Sequence, residues 1–231
     1  MVEVDRLMIE DYEIGLVQMM ENAGHHLAAL ARDRFLSGFP TGKTVSVLAG
    51  RGGNGGGALV AARHLANWGA DVTVRLSRAP DTFSGVPAHQ LTILQRMGLT
   101  IQGADVPTGP PAPSLILDGL IGYSLSGPPR GAEAGLIAWA NAQPGPILAL
   151  DTPSGLDITT GEALGPTIRA AATLTLALPK RGLLVDKAQP YVGELYLADI
   201  SVPPALYAVL GLSVDCLFSH SPILHLTIAD G

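Results

Sequence analysis

The chain has 231 residues, 47% of them hydrophobic and 15% charged, with a formal net charge of −6. That length suits one α/β domain with a full core, residues 1–231, and the acidic balance argues against nucleic acid as a partner. A single cysteine, Cys216, excludes an intramolecular disulfide and a cysteine-cluster metal site and fits a reducing, cytoplasmic setting, while the sparse charge points to apolar surface hidden between subunits.

The acidic N-terminus "MVEVDRLMIEDYEIG" lacks a basic segment followed by an apolar one, and no run approaches the roughly 18 apolar residues of a membrane span. A soluble, unprocessed protein with no membrane partner is expected. Next, "EIGLVQMMENAGHHLAALARDRF", residues 13–35, carries Leu16, Met19, Met20, Ala23, Leu27, Leu30 and Ala31 at helical spacing. His25 and His26 are adjacent there and point to different faces, so they form no i, i+4 metal pair; both read as structural, as does His64.

Strand signals follow at "TVSVLAG" from Thr44, "ADVTVRL" from Ala70, "LTIQ" from Leu99, "SLILDGL" from Ser114, "PILALD" from Pro146, "ATLTLAL" from Ala172 and "GELYLADI" from Gly193. Helical candidates lie between the earlier ones, at residues 56–68, 87–97 and 132–142. Apolar strands that do not alternate, each followed by a helix, predict a mostly parallel sheet with helices on both faces. The Pro-rich "GADVPTGPPAPS", residues 103–114, reads as a surface loop, and the C-terminal "FSHSPILHLTIADG" as a disordered or vector-derived tail.

Gly50, Gly52 and Gly55 satisfy G-x-G-x-x-G between a strand and a helix, the context of a phosphate-binding turn. A P-loop is excluded, since no G-K-[ST] follows. The second strand ends "VTVRLSRAP" without the acidic residue that holds a ribose in the ordinary dinucleotide mode; Arg75 and Arg78 suit at best a 2′-phosphate and otherwise read as surface arginines. Two later strands end in Asp118 and in Asp151, the latter followed by Pro153, Ser154 and Gly155. Strand ends in a parallel sheet share one rim, so Asn54, Asp118, Asp151 and Ser154 are expected at a common cleft. Asn54, Asp118 and Ser154 make an oxygen set with too little charge for a divalent cage and suited to a monovalent cation, which leaves Asp151 for proton transfer.

These motifs resemble the YjeF N-terminal domain family, the NAD(P)H-hydrate epimerases, over nearly the whole chain. "MMENAG" is similar to the family's helix motif and "GNGGGALVAARHL" to its N-N-G-G-D-G loop and helix. "LDGLIGYSLSG" resembles the second loop, "LDTPSGLD" the D-x-P-S-G motif, and "TLTLALPKRGLL" the late T-x-x-x-x-x-P-K-x-G-L segment. The resemblance implies a three-layer Rossmann-like fold, a homodimer, and an isomerase of metabolite repair that interconverts R and S hydrates of NADH and NADPH. The hydrate is substrate, not redox cofactor, and a separate dehydratase consumes the S form.

Carried over residue by residue, Asn54, Asp118 and Ser154 match potassium ligands, one K+ per subunit. Gly53, Asn54, Gly55, Gly56 and Gly57 match one substrate loop; Gly122, Tyr123, Ser124 and Leu125, with Ser126, Gly127 and Pro128, match the other. Asp151 matches the acidic residue at the reacting ring. Glu21 and Asn22 sit in the helix motif, as contacts to the cleft or a second subunit or as helix surface, and Lys180 reads as a solvated loop lysine. Gly53, Gly57 and Ala58 depart from N-N-G-G-D-G, which leaves a catalytically weakened nucleotide-binding or scaffold protein of the same fold as the alternative. An NAD-linked oxidoreductase is disfavoured by the missing ribose acid.

Overall fold

The computed structural model describes residues 2–103, 112–214 and 216–227; most of the expected loop at 103–114 and the last four residues lie outside them. Strands β1 (Thr44–Ala49), β2 (Asp71–Leu76), β3 (Thr100–Gln102), β4 (Leu115–Gly119), β5 (Ile147–Leu150), β6 (Ala172–Leu176), β7 (Glu194–Ala198) and β8 (Ile223–Leu226) form one sheet in the order β3-β2-β1-β4-β5-β6-β7-β8. Every pairing is parallel except β7 with β8. The order reverses between β1 and β4, and a crevice opens at such a switch point because the two flanking connections leave toward opposite sides.

Helices α1 (Val2–Glu10), α2 (Leu16–Leu30), α3 (Gly53–Asn67), α4 (Gly85–Arg96), α5 (Gly131–Asn141), α6 (Gln189–Val192) and α7 (Pro204–Val209) surround the sheet. Side chains alternate across the strands, and this divides the core in two. On one face Val45, Val47, Leu117 and Leu148 pack with Leu59, Leu65 and Leu27 from α3 and α2. On the other Leu48, Ile116 and Ala149 meet Leu136, Ile137 and Ala140 of α5. The three-layer α/β/α architecture follows from this division.

Two segments depart from the expectations. Residues 2–10 form α1, whose Val4, Leu7 and Met8 are buried with Met19, Ala177, Ile200 and Leu206; three apolar side chains suffice only because a groove is there to receive them. The supposed C-terminal tail includes β8, which pairs Leu195 with Leu226 and Ala198 with Ile223, so the edge of β7 is covered.

Helix α3 approaches the sheet very closely at its first turn. A Cβ built on Gly55 would stand 1.7 Å from the Gly50 carbonyl oxygen, a backbone atom that has no room to yield, whereas one on Gly53 meets nothing within 4 Å. Gly55→Ala is therefore expected to lower unfolding free energy by about 2 kcal/mol or more. Gly53→Ala, one turn edge away in open space, is expected to be neutral or stabilising by up to about 1 kcal/mol. Urea unfolding of both variants checks the contrast.

Candidate functional site

The ends of β1, β4 and β5 and the connections after them enclose a cleft of about 500 Å³. Its wall includes Gly52, Gly53, Asn54 and Gly57 from the first connection, all of residues 122–128 from the second, and Asp151. Thus Gly53, Asn54, Gly57, the whole second loop and Asp151 meet at one cavity. Gly55 and Gly56 do not line it: they are buried on α3, with Gly56 packed against the Met20 side chain. At the mouth stand Arg51 and Arg78, the latter 3.3 Å from Glu133. Arg75 lies elsewhere, stacked 4.8 Å from the Trp139 ring centroid.

Asp118 ends β4 fully buried, and three donors converge on it. The Ser154 hydroxyl donates to Oδ1 at 2.7 Å, the Ser154 N–H to Oδ2 at 2.8 Å and the Leu120 N–H to Oδ1 at 3.2 Å. Ser154 Oγ in turn accepts the Ile121 N–H at 2.9 Å. The carboxylate therefore clamps the β5 connection to the β4 connection. Burial nevertheless outweighs these bonds and pushes its pKa up to about 6.

Asn54 opens α3 beside this clamp. Its Nδ2 donates to the Leu150 carbonyl at 2.8 Å, which turns the amide oxygen toward Gly122, where an added Cβ would stand 3.2 Å from it. Asp118 and Ser154 are bonded directly, and Asn54 lies beside Gly122 on the connection they hold. Of the four residues expected at a common cleft only Asn54 and Asp151 line it, because Asp118 and Ser154 are fully buried beneath. The donor set suits a hard monovalent cation: the amide oxygen has its lone pairs, the hydroxyl has one left, and three donors leave the carboxylate one of about four acceptor positions. Among the described residues no cluster of three His, Cys, Asp or Glu is placed to hold a metal.

Asp151 is also buried, in different surroundings. Its backbone has a φ of 65°, the left-handed region that aspartate tolerates better than most residues, and its N–H donates to the Leu174 carbonyl at 2.7 Å. Lys180 Nζ donates to its Oδ1, to Thr175 Oγ1 at 2.9 Å and to the Leu176 carbonyl at 2.9 Å. Lys180 was expected in solvent and is instead 6% exposed. The bend that follows β6 folds the lysine back under the strand end, a contact across 29 residues that no local pattern reveals. The lysine thus grips Oδ1 of an aspartate that lines the cleft, and a carboxylate so placed can exchange a proton with a ligand there.

Of the helix motif, Met19, Met20 and Ala23 line the cleft, whereas Glu21 and Asn22 bond elsewhere. Glu21 accepts from Arg63 and from Gln90 Nε2 at 2.9 Å, so it ties α2 to α3 and α4, and Asn22 Nδ2 donates to Ser201 Oγ at 2.6 Å. His25 and His64 pack at a tilt with ring centroids 4.9 Å apart beside Trp68. Ala58, one of the changed loop positions, is buried against Gly119, the residue whose lack of a side chain makes room for its methyl group. Sequence reasoning did not single out Asp5, which reaches the cleft from α1 and accepts the Tyr123 hydroxyl at 2.7 Å.

The model of a family described as YjeF-related protein N-terminus matches residues 16–182. An NAD(P)H-hydrate epimerase from Dehalogenimonas lykanthroporepellens is 46% identical over 215 residues, which cover 92% of this chain and 84% of that protein. A bifunctional NAD(P)H-hydrate repair enzyme Nnr from Salinibacter ruber is 38% identical over 218 residues, 88% of this chain, and the match spans only 40% of that longer protein. Among solved structures, that of the yeast protein ynu0 superposes with a TM-score of 0.80 at 26% identity, covering 97% of this chain and 96% of its own.

The Asp151–Lys180 pair is the most buried ion pair here, at 4% and 5% side-chain exposure. Removing one partner leaves the other charge without compensation, so Lys180→Met is expected to cost about 3–5 kcal/mol of stability. Adding Asp151→Asn should return part of that loss; denaturant unfolding at neutral pH of the single and double variants measures the coupling.

Proposed function

This chain belongs to the family of YjeF-related protein N-termini, and from that premise we propose that it is an NAD(P)H-hydrate epimerase: it interconverts the R and S hydrates of NADH and NADPH, in which water has been added at C6 of the nicotinamide ring. The observation that carries the reading is a single cleft at the sheet's switch point with an anion-binding end and a proton-accepting end. The first turn of α3, free of side chains at Gly52 and Gly53, offers unpaired N–H groups and a favourable helix dipole to the phosphates, with Arg51 and Arg78 beside it. The connection carrying residues 122–128 lies along the nucleotide. Asp151, bonded to Lys180, lies at the ring in this reading and moves the proton.

The monovalent cation belongs to the same reading. Asn54, Asp118 and Ser154 would hold it, and when bound it supplies positive charge that offsets the buried Asp118 carboxylate and fixes the two connections relative to each other. We assign potassium to this place. The protein also works as a homodimer in this reading and hands the S hydrate to a separate dehydratase; the longer bifunctional relatives, of which this chain spans about 40%, favour such a partnership. No helix among the described residues is long and apolar enough to cross a membrane.

Conversion of isolated R hydrate to the S form, followed with an S-specific dehydratase, is expected to run well above the uncatalysed rate. It should fall by about a hundredfold or more in Asp151→Asn. A folded wild-type protein that accelerates neither NADH nor NADPH hydrate would overturn the epimerase reading. Exchange of choline for potassium at fixed ionic strength is expected to raise the unfolding temperature of the wild type but not of Asn54→Ala; equal midpoints in both salts would remove the cation assignment.

A further inference from the structure

The epimerase reading demands chemistry on two sides of one carbon. The epimers differ only in which face of C6 bears the hydroxyl, so a C6–O bond must break on one face and form on the other. One carboxylate at one face does not serve both events: departure of the hydroxyl needs an acid, and attack by water from the opposite face needs a base. Asp151, with Lys180 behind it, supplies the base.

The titratable side chains of the cleft wall other than Asp151 are Asp5, Arg51, Arg78, Tyr123 and Glu133. Arginine side chains are anion partners and not general acids. Glu133 is paired with Arg78 at the outer rim. Burial and the neighbouring Asp5 carboxyl push the Tyr123 hydroxyl up to about 12, too weak an acid for the task. Asp5 remains.

Its placement is built into the fold. Val4, Leu7 and Met8 anchor α1 in the groove between α2 and the segment that follows β7, and Asp5 comes off the same helix toward the cleft. Arg6, its neighbour, is drawn the other way by Glu3 and Glu10. Among the described residues the hydrogen-bonding partner of Asp5 is Tyr123, whose 2.7 Å bond ties it to the second substrate loop. Burial raises the Asp5 pKa and outweighs the Tyr123 bond, which lowers it; of the more distant charges Asp151 raises it and Lys180 lowers it, and the net direction is toward the protonated carboxyl an acid needs. Asp5 also lies before the residues that the family model matches.

We propose that Asp5, held by Tyr123 on the wall of the cleft that Asp151 also lines, is the second acid–base group of the epimerisation, acting from the opposite face of the ring; this rests on the epimerase reading. The Asp5 carboxyl gives its proton to the C6 hydroxyl, the C6–O electron pair leaves with the oxygen as water, and the N1 lone pair forms an N1=C6 bond. A solvent water on the Asp151 side then bonds to C6 through its oxygen and gives a proton to the Asp151 carboxylate, while the N1=C6 pair returns to N1. One water leaves, one enters, and one proton has passed from Asp5 to Asp151. The opposite epimer reacts with the two carboxyl groups exchanged in role.

The test uses the full chain and measures epimerisation and NADPH affinity separately for the wild type, Asp5→Asn, Asp5→Ala and Tyr123→Phe, each checked for folding. Asn can still accept the Tyr123 hydroxyl but cannot exchange a proton, so kcat in Asp5→Asn and in Asp5→Ala is expected to fall by about a hundredfold or more, with NADPH affinity held within about threefold. Formate should restore part of the Asp5→Ala rate, an effect that a lost loop contact would not show. If Asp5→Asn keeps kcat within about threefold of wild type, or formate restores nothing while Tyr123→Phe loses as much as Asp5→Ala, the carboxyl only anchors the loop and the inference is overturned. An inactive wild type overturns the epimerase reading itself; an active wild type with an active Asp5→Asn overturns this inference alone.

Discussion

Everything at the site depends on how closely α3 lies against the tips of β1 and β4. The helix enters so near the strand end that Gly55 touches the Gly50 carbonyl, and Gly119 on β4 faces Ala58, where a second Cβ would stand only 2.4 Å from the methyl group. Side chains at Gly55 or Gly119 would push the helix outward, and with it Asn54, whose amide spans to the Leu150 carbonyl on β5. The close approach therefore does two things together. It aims the open N–H groups of the first turn into the crevice and it brings one amide within reach of two further strand ends.

Two buried aspartates at neighbouring strand ends take different roles because their surroundings differ. Among the described residues Asp118 receives three neutral donors and no cation, so hydrogen bonds alone oppose the penalty of burial, and burial outweighs them. A bound monovalent ion answers that deficit. Asp151 receives an ammonium from Lys180, which is itself fixed by Thr175 and the Leu176 carbonyl. Its charge is thereby settled from behind, and the front of the carboxylate is left for a substrate. This division of labour between two like groups is set by their neighbours, not by their identity.

The cleft is closed by segments that carry little of the core. Helix α1 contributes three buried side chains, yet it brings Asp5 to Tyr123 across 118 positions of sequence. The 122–128 connection holds no buried residue and is pinned at its start, by that bond at Tyr123 and by the Ile121–Ser154 bond just before it. A loop restrained at its start and soft beyond it can follow a ligand without disturbing the sheet below.

What the sequence by itself determined is the frame. Seven of the eight strands and the helices α2 to α5 follow from apolar runs and helical spacing, which are local properties of the chain. The order of motifs along those runs carries the family resemblance, and with it the expectation that Asn54, Asp118, Asp151 and Ser154 belong together. Their actual bonds were not legible, because each joins segments tens of residues apart: Ser154 to Asp118, Asn54 to Leu150, Lys180 to Asp151. Lys180 reads as a solvated lysine in isolation, since a single charged residue after a strand has no pattern that marks it as buried. The strand β8 and the helix α1 were missed for a related reason: both are short and gain their stability from an edge and a groove that exist only once the rest has folded. Local spacing decides which elements form, whereas the partners of a buried charge are chosen by the packing of elements distant in the chain.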